Sequence, residues 1–195
     1  MVWDTLLGYQ NQEIVSSMDR LKDGNFLAIG YLQDYYTEIP QLTKFDSDGN
    51  FIWQKQINLH PKSLIIQCDE MSNKDIVCTG VLRSDTIYGS IGWVIWLDSL
   101  GEVKKDQAYM YWPLNNGFIG DGVSFYDIKE TSDGGFLIGG AVAEPARMGW
   151  YANQFLLLKL DSNGCVVDDC GFFTSVFEYD YDDEAKTIVY PNPTT

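Results

Sequence analysis

Short stretches of apolar residues, several of them alternating with polar ones, follow one another along most of the chain. Stretches such as 26–32, 76–82 and 136–142 are rich in β-branched and other apolar residues, and clusters of Gly, Asp, Asn and Ser separate them. This pattern predicts β-strands joined by turns. No stretch keeps the 3.6-residue periodicity of an amphipathic helix, so we expect little helix.

A series of strands follows from this pattern. They are expected at 13–21, 26–32, 41–46, 51–57, 63–71, 76–82, 92–98, 102–109, 122–131, 136–142, 153–161 and 165–169. The turns at 22–25 and 47–50 are typical of hairpins, because their glycines adopt the positive φ that such turns require. Variable loops are expected at 33–40, 83–91 and 143–152, with a longer insert at 110–121.

The predicted strands follow the same order three times. Each unit has an early strand that ends in glycine and a later strand that ends in aspartate. These markers are Gly30, Gly80 and Gly140, and Asp46, Asp98 and Asp161. The glycines are 50 and then 60 residues apart, and periods of this length are typical of propellers, solenoids and arrays.

Four antiparallel strands per unit are the composition of a propeller blade. The sequence therefore predicts an all-β fold of repeated four-stranded antiparallel blades, a partial β-propeller of about three units. The units are expected at about 8–57, 58–109 and 110–170, within one repeat region at 1–170. A closed propeller needs about four to eight blades, so we expect the chain to be part of a larger protein. An open three-blade structure and pairing between chains are the alternatives.

The chain is strongly acidic. Its 195 residues include 13 basic and 28 acidic ones, which gives a net charge of −15 at neutral pH. This charge repels a phosphate backbone, and no basic stripe offsets it, so nucleic acid is not expected as a partner. No apolar run is long enough for a transmembrane helix, and residues 1–5 do not resemble the start of a signal peptide.

Four cysteines form two pairs of near neighbours in the sequence. Cys165 and Cys170 enclose a short acidic loop, whereas Cys68 and Cys78 lie on two strands that flank one predicted turn. Both pairs are candidate disulfides, which are typical of an oxidising compartment. Zinc is disfavoured because neither pair has CxxC spacing. Free buried thiols are the alternative for each pair.

No motif predicts catalysis, and we expect neither an enzyme nor a cofactor. The single histidine, His60, has no nucleophile motif beside it, and no phosphate-binding, dinucleotide-binding or metalloprotease motif occurs. Calcium is the one metal to consider, because residues 46–50 resemble the start of an EF-hand loop. The equivalent segments of the other units lose these ligands, so a hairpin turn is the favoured interpretation.

Aromatic residues gather in or near the variable loops. Exposed rings beside carboxylates and amides stack on sugars or anchor protein partners. Packing between blades is the favoured alternative, because large rings are usually buried. The candidate ligand-contact residues are Tyr35, Tyr36, Tyr88, Trp112, Trp150 and Tyr151.

The third unit resembles a known group of proteins. Its segments SDGGFLIGG at 132–140 and LLKLDSNG at 157–164 are similar to repeats of secreted, propeller-like proteins that often end in a type IX secretion sorting domain. The first unit fits this pattern well, whereas the second departs from it at 73–75, where Asn-Lys-Asp replaces the Asp-Gly turn. The resemblance covers roughly residues 1–170.

The C-terminal segment carries a second resemblance. Residues 188–194 look like the opening of the type IX C-terminal sorting domain, and a rigid turn within a linker is the alternative. The motif residues are Tyr190, Pro191, Asn192 and Pro193. Because the sequence ends at Thr195, we expect the body of that domain to lie outside it. Residues 171–187 are expected to be an acidic, solvated linker.

These resemblances imply a non-catalytic binding or adhesion scaffold that is secreted or held on the exterior of the outer membrane. They also imply the type IX secretion machinery as a partner. No motif identifies the ligand, which is a surface protein or a glycan in this hypothesis. The first alternative is a carbohydrate-binding accessory region of a larger surface enzyme. The second is a relative of quinone-dependent propeller dehydrogenases, although no cofactor motif supports it.

Overall fold

The computed structural model describes residues 4, 12–33, 37–60, 62–83, 90–111, 122–145, 151–166 and 172–173. Within these ranges the regular structure is β-strand, as the hydrophobic pattern predicted. The strands are β1 (Gln12–Arg20), β2 (Phe26–Gln33), β3 (Glu38–Phe45), β4 (Phe51–Gln56), β5 (Ser63–Glu70), β6 (Ile76–Arg83), β7 (Ser90–Leu97), β8 (Val103–Tyr111), β9 (Val123–Glu130), β10 (Phe136–Pro145), β11 (Tyr151–Leu160) and β12 (Phe172–Phe173).

Each predicted unit forms a separate antiparallel sheet in which neighbouring strands follow chain order. The first sheet is β1-β2-β3-β4, the second is β5-β6-β7-β8 and the third is β9-β10-β11. The short strand β12 falls in the stretch expected to be a linker and pairs in parallel with β8 at the edge of the second sheet. The predicted all-β fold of repeated antiparallel sheets is therefore confirmed.

The strands extend further into two variable loops than the sequence suggested. β3 begins at Glu38, so Pro40 lies inside a strand, where its carbonyl accepts a hydrogen bond from the Ile57 N–H at 2.8 Å. β10 continues to Pro145, which pairs with Tyr151. Proline gives little strand signal because it donates no ladder hydrogen bond, which explains both differences. Of the strand predicted at 165–169, only residues 165 and 166 are described.

The first hairpin of each sheet has the same turn. The backbone N–H groups of Leu21, Met71 and Thr131 each donate to the carbonyl four residues later, at 2.8–2.9 Å. Gly24 adopts positive φ in the first turn, as predicted, and Gly134 does so in the third. Lys74 takes the equivalent position in the second turn with φ of 74°. The degenerate sequence at 73–75 therefore keeps the turn geometry and places a non-glycine residue in the left-handed region.

The three sheets pack face to face, and the second is buried on both sides. Its side chains alternate: Ile76 and Cys78 belong to a cluster shared with the first sheet, whereas Val77, Val94 and Trp96 belong to one shared with the third. This alternation is the period-2 geometry of a strand whose two faces are both covered. It explains why β6 and β7 are continuous apolar runs.

Tryptophans of one sheet contact turn glycines of the next. A Cβ placed on Gly101 would lie 3.0 Å from Trp53, and one on Gly164 would lie 2.6 Å from Trp96, so each ring needs a glycine beneath it. The Tyr109 hydroxyl donates to the Gly164 carbonyl at 2.5 Å. Burial, with the nearby Asp161 carboxylate, raises the pKa of Tyr109, which keeps this hydroxyl protonated as a donor.

The marker glycines are required by a close approach of backbone. A Cβ at Gly30 would lie far inside van der Waals contact with the Ile14 carbonyl oxygen. The same holds for Gly80 against Leu64 and for Gly140 against Ser124. In each case the carbonyl belongs to the first strand of the same sheet. The marker glycines lie inside β2, β6 and β10 rather than at the strand ends that the sequence suggested. The recurring glycine is therefore a steric requirement of strand pairing.

One of the two expected disulfides lies within the described residues. Cys68 and Cys78 are direct partners across β5 and β6, and their sulfurs are bonded at 2.04 Å. Both residues are almost completely buried, in the cluster shared with the first sheet. A disulfide of this kind is typical of proteins in oxidising compartments. Cys170, the expected partner of Cys165, lies outside the described residues.

The close approach at the marker glycines leads to a stability prediction. Gly80→Ala is expected to lower the free energy of unfolding by about 3 kcal/mol, because strands β5 and β6 must separate to admit the methyl group. Gly139→Ala is the matched control, since a Cβ there meets nothing within 4 Å. It should be neutral or stabilising by up to about 1 kcal/mol. Urea denaturation measures both, and equal losses would contradict the steric explanation.

The disulfide leads to a second prediction. An alkylating reagent applied to denatured, unreduced protein should leave Cys68 and Cys78 unmodified, and prior reduction should expose both to alkylation. Replacing both cysteines by alanine is expected to cost roughly 3 kcal/mol of unfolding free energy, because the bond closes a short loop in the unfolded chain. Peptide mass spectrometry and chemical denaturation provide the measurements. Alkylation of either residue without reductant would show that the bond does not form.

Candidate functional site

The first strand of every sheet contains a β-bulge at the marker glycine. The pairing skips one residue in each strand: Ser16 in β1, Ile66 in β5 and Tyr126 in β9. A bulge leaves its extra residue out of the ladder and changes the direction of that side chain. In all three sheets, the bulge lies next to the point where a carbonyl of the first strand approaches the marker glycine.

All three bulge residues line one cavity, which has a volume of about 310 Å³. We call it the inner-strand groove, because β1, β5 and β9 supply most of its wall. Its lining residues are Ser16, Ser17, Tyr31, Leu64, Ile65, Ile66, Gln67 and Tyr126. Most of this lining is apolar, with aromatic rings, hydroxyls and an amide among the apolar side chains. Such a mixture is typical of small-ligand sites.

The polar groups of the groove are already held in place. The Ser17 hydroxyl donates to Gln67 Oε1 at 2.7 Å, which joins the first and second sheets. The Ser16 hydroxyl donates to the Ile29 carbonyl at 3.1 Å. Tyr126 is 51% exposed, so its ring is accessible from solvent. The groove therefore offers an accessible ring beside an oriented amide.

A charged cluster continues the same strands beyond the groove. Lys129 Nζ lies 3.0 Å from Asp69 and 3.8 Å from Asp19, so β9, β5 and β1 each contribute one charged group. Burial acts to lower the pKa of Lys129, but the hydrogen bond to Asp69 and the charges of Asp69, Asp19 and Asp127 outweigh it and raise the pKa. Lys129 therefore stays protonated, which makes it unsuited to act as a nucleophile or base.

Of the six aromatic residues proposed from the sequence as ligand contacts, one lies within the described residues. Tyr151 begins β11, opposite Pro145. The other five lie outside the described residues: Tyr35, Tyr36, Tyr88, Trp112 and Trp150. The sorting-domain motif at Tyr190–Pro193 lies outside them as well. Tyr31 and Tyr126, which line the groove, were not predicted as site residues because they lie on predicted strands. Each first strand is one residue longer than its partner requires, and this extra residue could have indicated a bulge. In a sequence, however, an extra residue cannot be distinguished from a strand that begins or ends one residue further along.

His60 has a structural partner. Its Nε2 lies 2.7 Å from Asp106 Oδ2, and the same oxygen accepts a hydrogen bond from Trp93 Nε1 at 3.1 Å. The His60 ring packs edge-on against Trp93. The Ser63 hydroxyl is near in sequence but donates to the His60 carbonyl, at 2.8 Å, rather than to the ring. These contacts join β8 to the loop before β5 and form no nucleophile–base pair.

The loop that resembled a calcium site is held by its own hydrogen bonds. Asp46 Oδ1 accepts from the backbone N–H groups of Asp48 and Asn50 at 2.9 and 2.8 Å, and Oδ2 accepts from the Asn50 side chain at 2.8 Å. Asp161 accepts from the N–H groups of Asn163 and Cys165 in the same way. Both carboxylate oxygens of Asp46 thus serve the turn, as the favoured interpretation expected.

Comparison with models of known protein families and with curated protein sequences finds no match to this chain. Among the described residues, no helix is long and apolar enough to cross a membrane. The same residues contain no group of three or more His, Cys, Asp or Glu side chains arranged to hold a metal ion.

The aspartate turns lead to a pH prediction. Hydrogen bonds from Asn50 lower the pKa of Asp46, and those from Cys165 and Asn163 lower the pKa of Asp161. A carboxyl whose pKa is lower in the folded state adds stability above its unfolded pKa, near 4, and that stability is lost as the pH falls further. The double variant Asp46→Asn/Asp161→Asn should therefore lose less stability between about pH 4 and 2 than the wild type.

Denaturation at several pH values measures this dependence. Asp48→Asn is the control, because in the Asp46 turn it is the N–H of Asp48, not its carboxylate, that is bonded. The same experiment with calcium or with a chelator at neutral pH should give unchanged stability. A rise in melting temperature with calcium that the double variant lacks would instead identify these turns as ion sites.

Proposed function

We propose that the protein is a non-catalytic binding scaffold of the propeller type, with its ligand site in the inner-strand groove. One observation carries this proposal: the three units place their bulge residues, Ser16, Ile66 and Tyr126, around a single cavity. Bulges are common beside functional sites, where they direct a side chain toward a ligand. A cavity built by a repeated backbone feature is pre-formed, which lowers the entropic cost of binding.

The packing of the sheets supports the propeller part of the proposal. The first strands β1, β5 and β9 lie side by side at the groove, and each sheet covers a face of the next. In a propeller, the innermost strand of each blade lines the central channel. We therefore assign β1, β5 and β9 as inner strands of three blades and the groove as a section of the channel wall.

Two observations favour a location outside the cytoplasm. The buried Cys68–Cys78 bond is of the kind that persists in oxidising compartments. The C-terminal residues 188–194 resemble the opening of a type IX sorting domain. We propose export through the type IX machinery to the cell surface or the medium.

A carbohydrate is the second candidate ligand, and the Tyr126 ring favours it. An accessible aromatic face beside the Gln67 amide supplies the stacking surface and the hydrogen-bonding group that a sugar ring requires. In this version the chain is an accessory region that holds a surface enzyme on a glycan. A peptide with an exposed aromatic or aliphatic side chain would use the same ring and the same amide. The shape and chemistry of the groove are therefore compatible with either a sugar or a peptide.

Arrays of glycans and of peptides test this proposal. We expect the wild-type protein to bind on one of them and Tyr126→Ala to weaken that binding at least about tenfold, equivalent to 1.4 kcal/mol. Phe51→Ala is the matched control, because Phe51 is 55% exposed on β4 and does not line the groove. Binding on neither array, or equal binding by both variants, would refute a ligand site in the groove.

A further inference from the structure

Equivalent positions of the three units show what covers each sheet. On the face directed toward the following unit, Leu27 and Leu42 of the first sheet are 0% exposed, as are Val77 and Val94 of the second. The equivalent residues of the third sheet, Leu137 and Leu157, are 37% and 49% exposed. Phe155, one position outward from Leu157 on the same face of β11, is 83% exposed. The third sheet thus presents an apolar face, the trailing face, that is buried in the other two units.

The opposite end shows the complementary pattern. On the face directed toward the preceding unit, Val15 and Met18 of β1 are 68% and 63% exposed. The equivalent residues of the second and third units are at most 2% exposed: Ile65, Cys68, Phe125 and Ile128. We call this surface of the first sheet the leading face. In the second sheet, the leading face packs on the first sheet and the trailing face packs on the third.

We propose that the trailing face of one chain packs against the leading face of a second copy, in the same way that consecutive sheets pack within the chain. A second copy fits these faces because the molecule already forms the same kind of interface twice, between its own consecutive sheets. A head-to-tail contact either closes into a ring or extends as a filament. Two chains supply six sheets, which lies within the range of about four to eight that closes a propeller.

One polar contact distinguishes the internal interfaces from the proposed one. Glu130 accepts hydrogen bonds from the Ser72 N–H at 2.7 Å and the Ser72 hydroxyl at 2.9 Å, which ties the third sheet to the turn of the second. Glu70 accepts in the same way from the Lys22 N–H of the first sheet. The equivalent position of the first sheet is Arg20, which has no acceptor to offer the Ser132 turn of another copy. The contact between copies therefore depends on apolar side chains.

The charge of the chain sets the conditions for this contact. Two copies each carrying a net charge of −15 repel one another at low ionic strength. Salt screens that repulsion, whereas the burial of apolar side chains is not weakened by it. We therefore expect association to strengthen as salt is raised.

Sedimentation analysis over a range of protein and salt concentrations tests the proposal. The wild type should form dimers, and Leu157→Asp on the trailing face or Met18→Asp on the leading face should each raise the dissociation constant at least tenfold. Both residues are exposed, so each variant is expected to keep the wild-type melting temperature. Wild-type protein that stays monomeric at every concentration and salt level overturns the proposal.

Mixing the two variants identifies which faces meet. In a head-to-tail contact, the intact leading face of Leu157→Asp meets the intact trailing face of Met18→Asp, so the mixture should form heterodimers that neither variant forms alone. A contact between two trailing faces would instead leave Met18→Asp dimeric by itself and the mixture without heterodimers. That result would overturn the head-to-tail arrangement.

A gain of affinity gives a further test. Arg20→Glu supplies the carboxylate that the internal interfaces use, and it should lower the dissociation constant about tenfold through bonds to the Ser132 turn. Adding Ser132→Ala removes the hydroxyl donor and should reverse part of that gain. Arg83→Glu is the control with the same charge change, on a residue whose exposed ion pair with Glu38 contributes little. Equal effects of Arg20→Glu and Arg83→Glu would show that the Ser132 contact does not form.

Discussion

The structure depends on a steric constraint that is met three times: the backbone of each first strand comes so close to the second strand that only glycine fits there. Gly30, Gly80 and Gly140 occupy these points, and the approaching carbonyl comes from the residue two positions before the bulge. The same approach puts one residue of each first strand outside the ladder. The bulge residues thereby meet at one groove. A feature of strand pairing and the shape of the candidate site therefore have a single cause.

The second constraint is the coverage of sheet faces. A sheet of short strands is not stable with both apolar faces in water, and the second sheet avoids this by packing on the other two. Tryptophans on the turn glycines and carboxylates on the turn N–H groups repeat at both interfaces, which keeps the spacing between sheets constant. The shape of the groove depends on that spacing, because its walls come from all three sheets.

The fold was predictable because its signals are local and repeated. Turns with glycine, strand length and the marker residues recur in each unit, so an error in one unit is corrected by the others. The second turn illustrates this: Lys74 hides the turn signal, yet the flanking strands still identify it. Strand ends were less predictable where Pro40 and Pro145 continue a strand. The groove was not predicted, because it arises from three bulges that lie far apart in sequence and meet only through sheet packing. Aromatic residues in loops looked like better ligand contacts than Tyr126, which occupies a strand.

The exposed ends of the repeat follow from the same packing rule. Val15 and Met18 are apolar because their position in the repeat is an interface position, and so are Leu137 and Leu157. Apolar residues kept at these positions, in a chain whose net charge is −15, cost solubility unless another sheet covers them. Arg20 marks the limit of this similarity, because it replaces the glutamate that joins the internal sheets. An end face that keeps the apolar side chains and lacks the polar link resembles an interface that forms reversibly, whereas the internal interfaces carry both kinds of contact and hold the three sheets together.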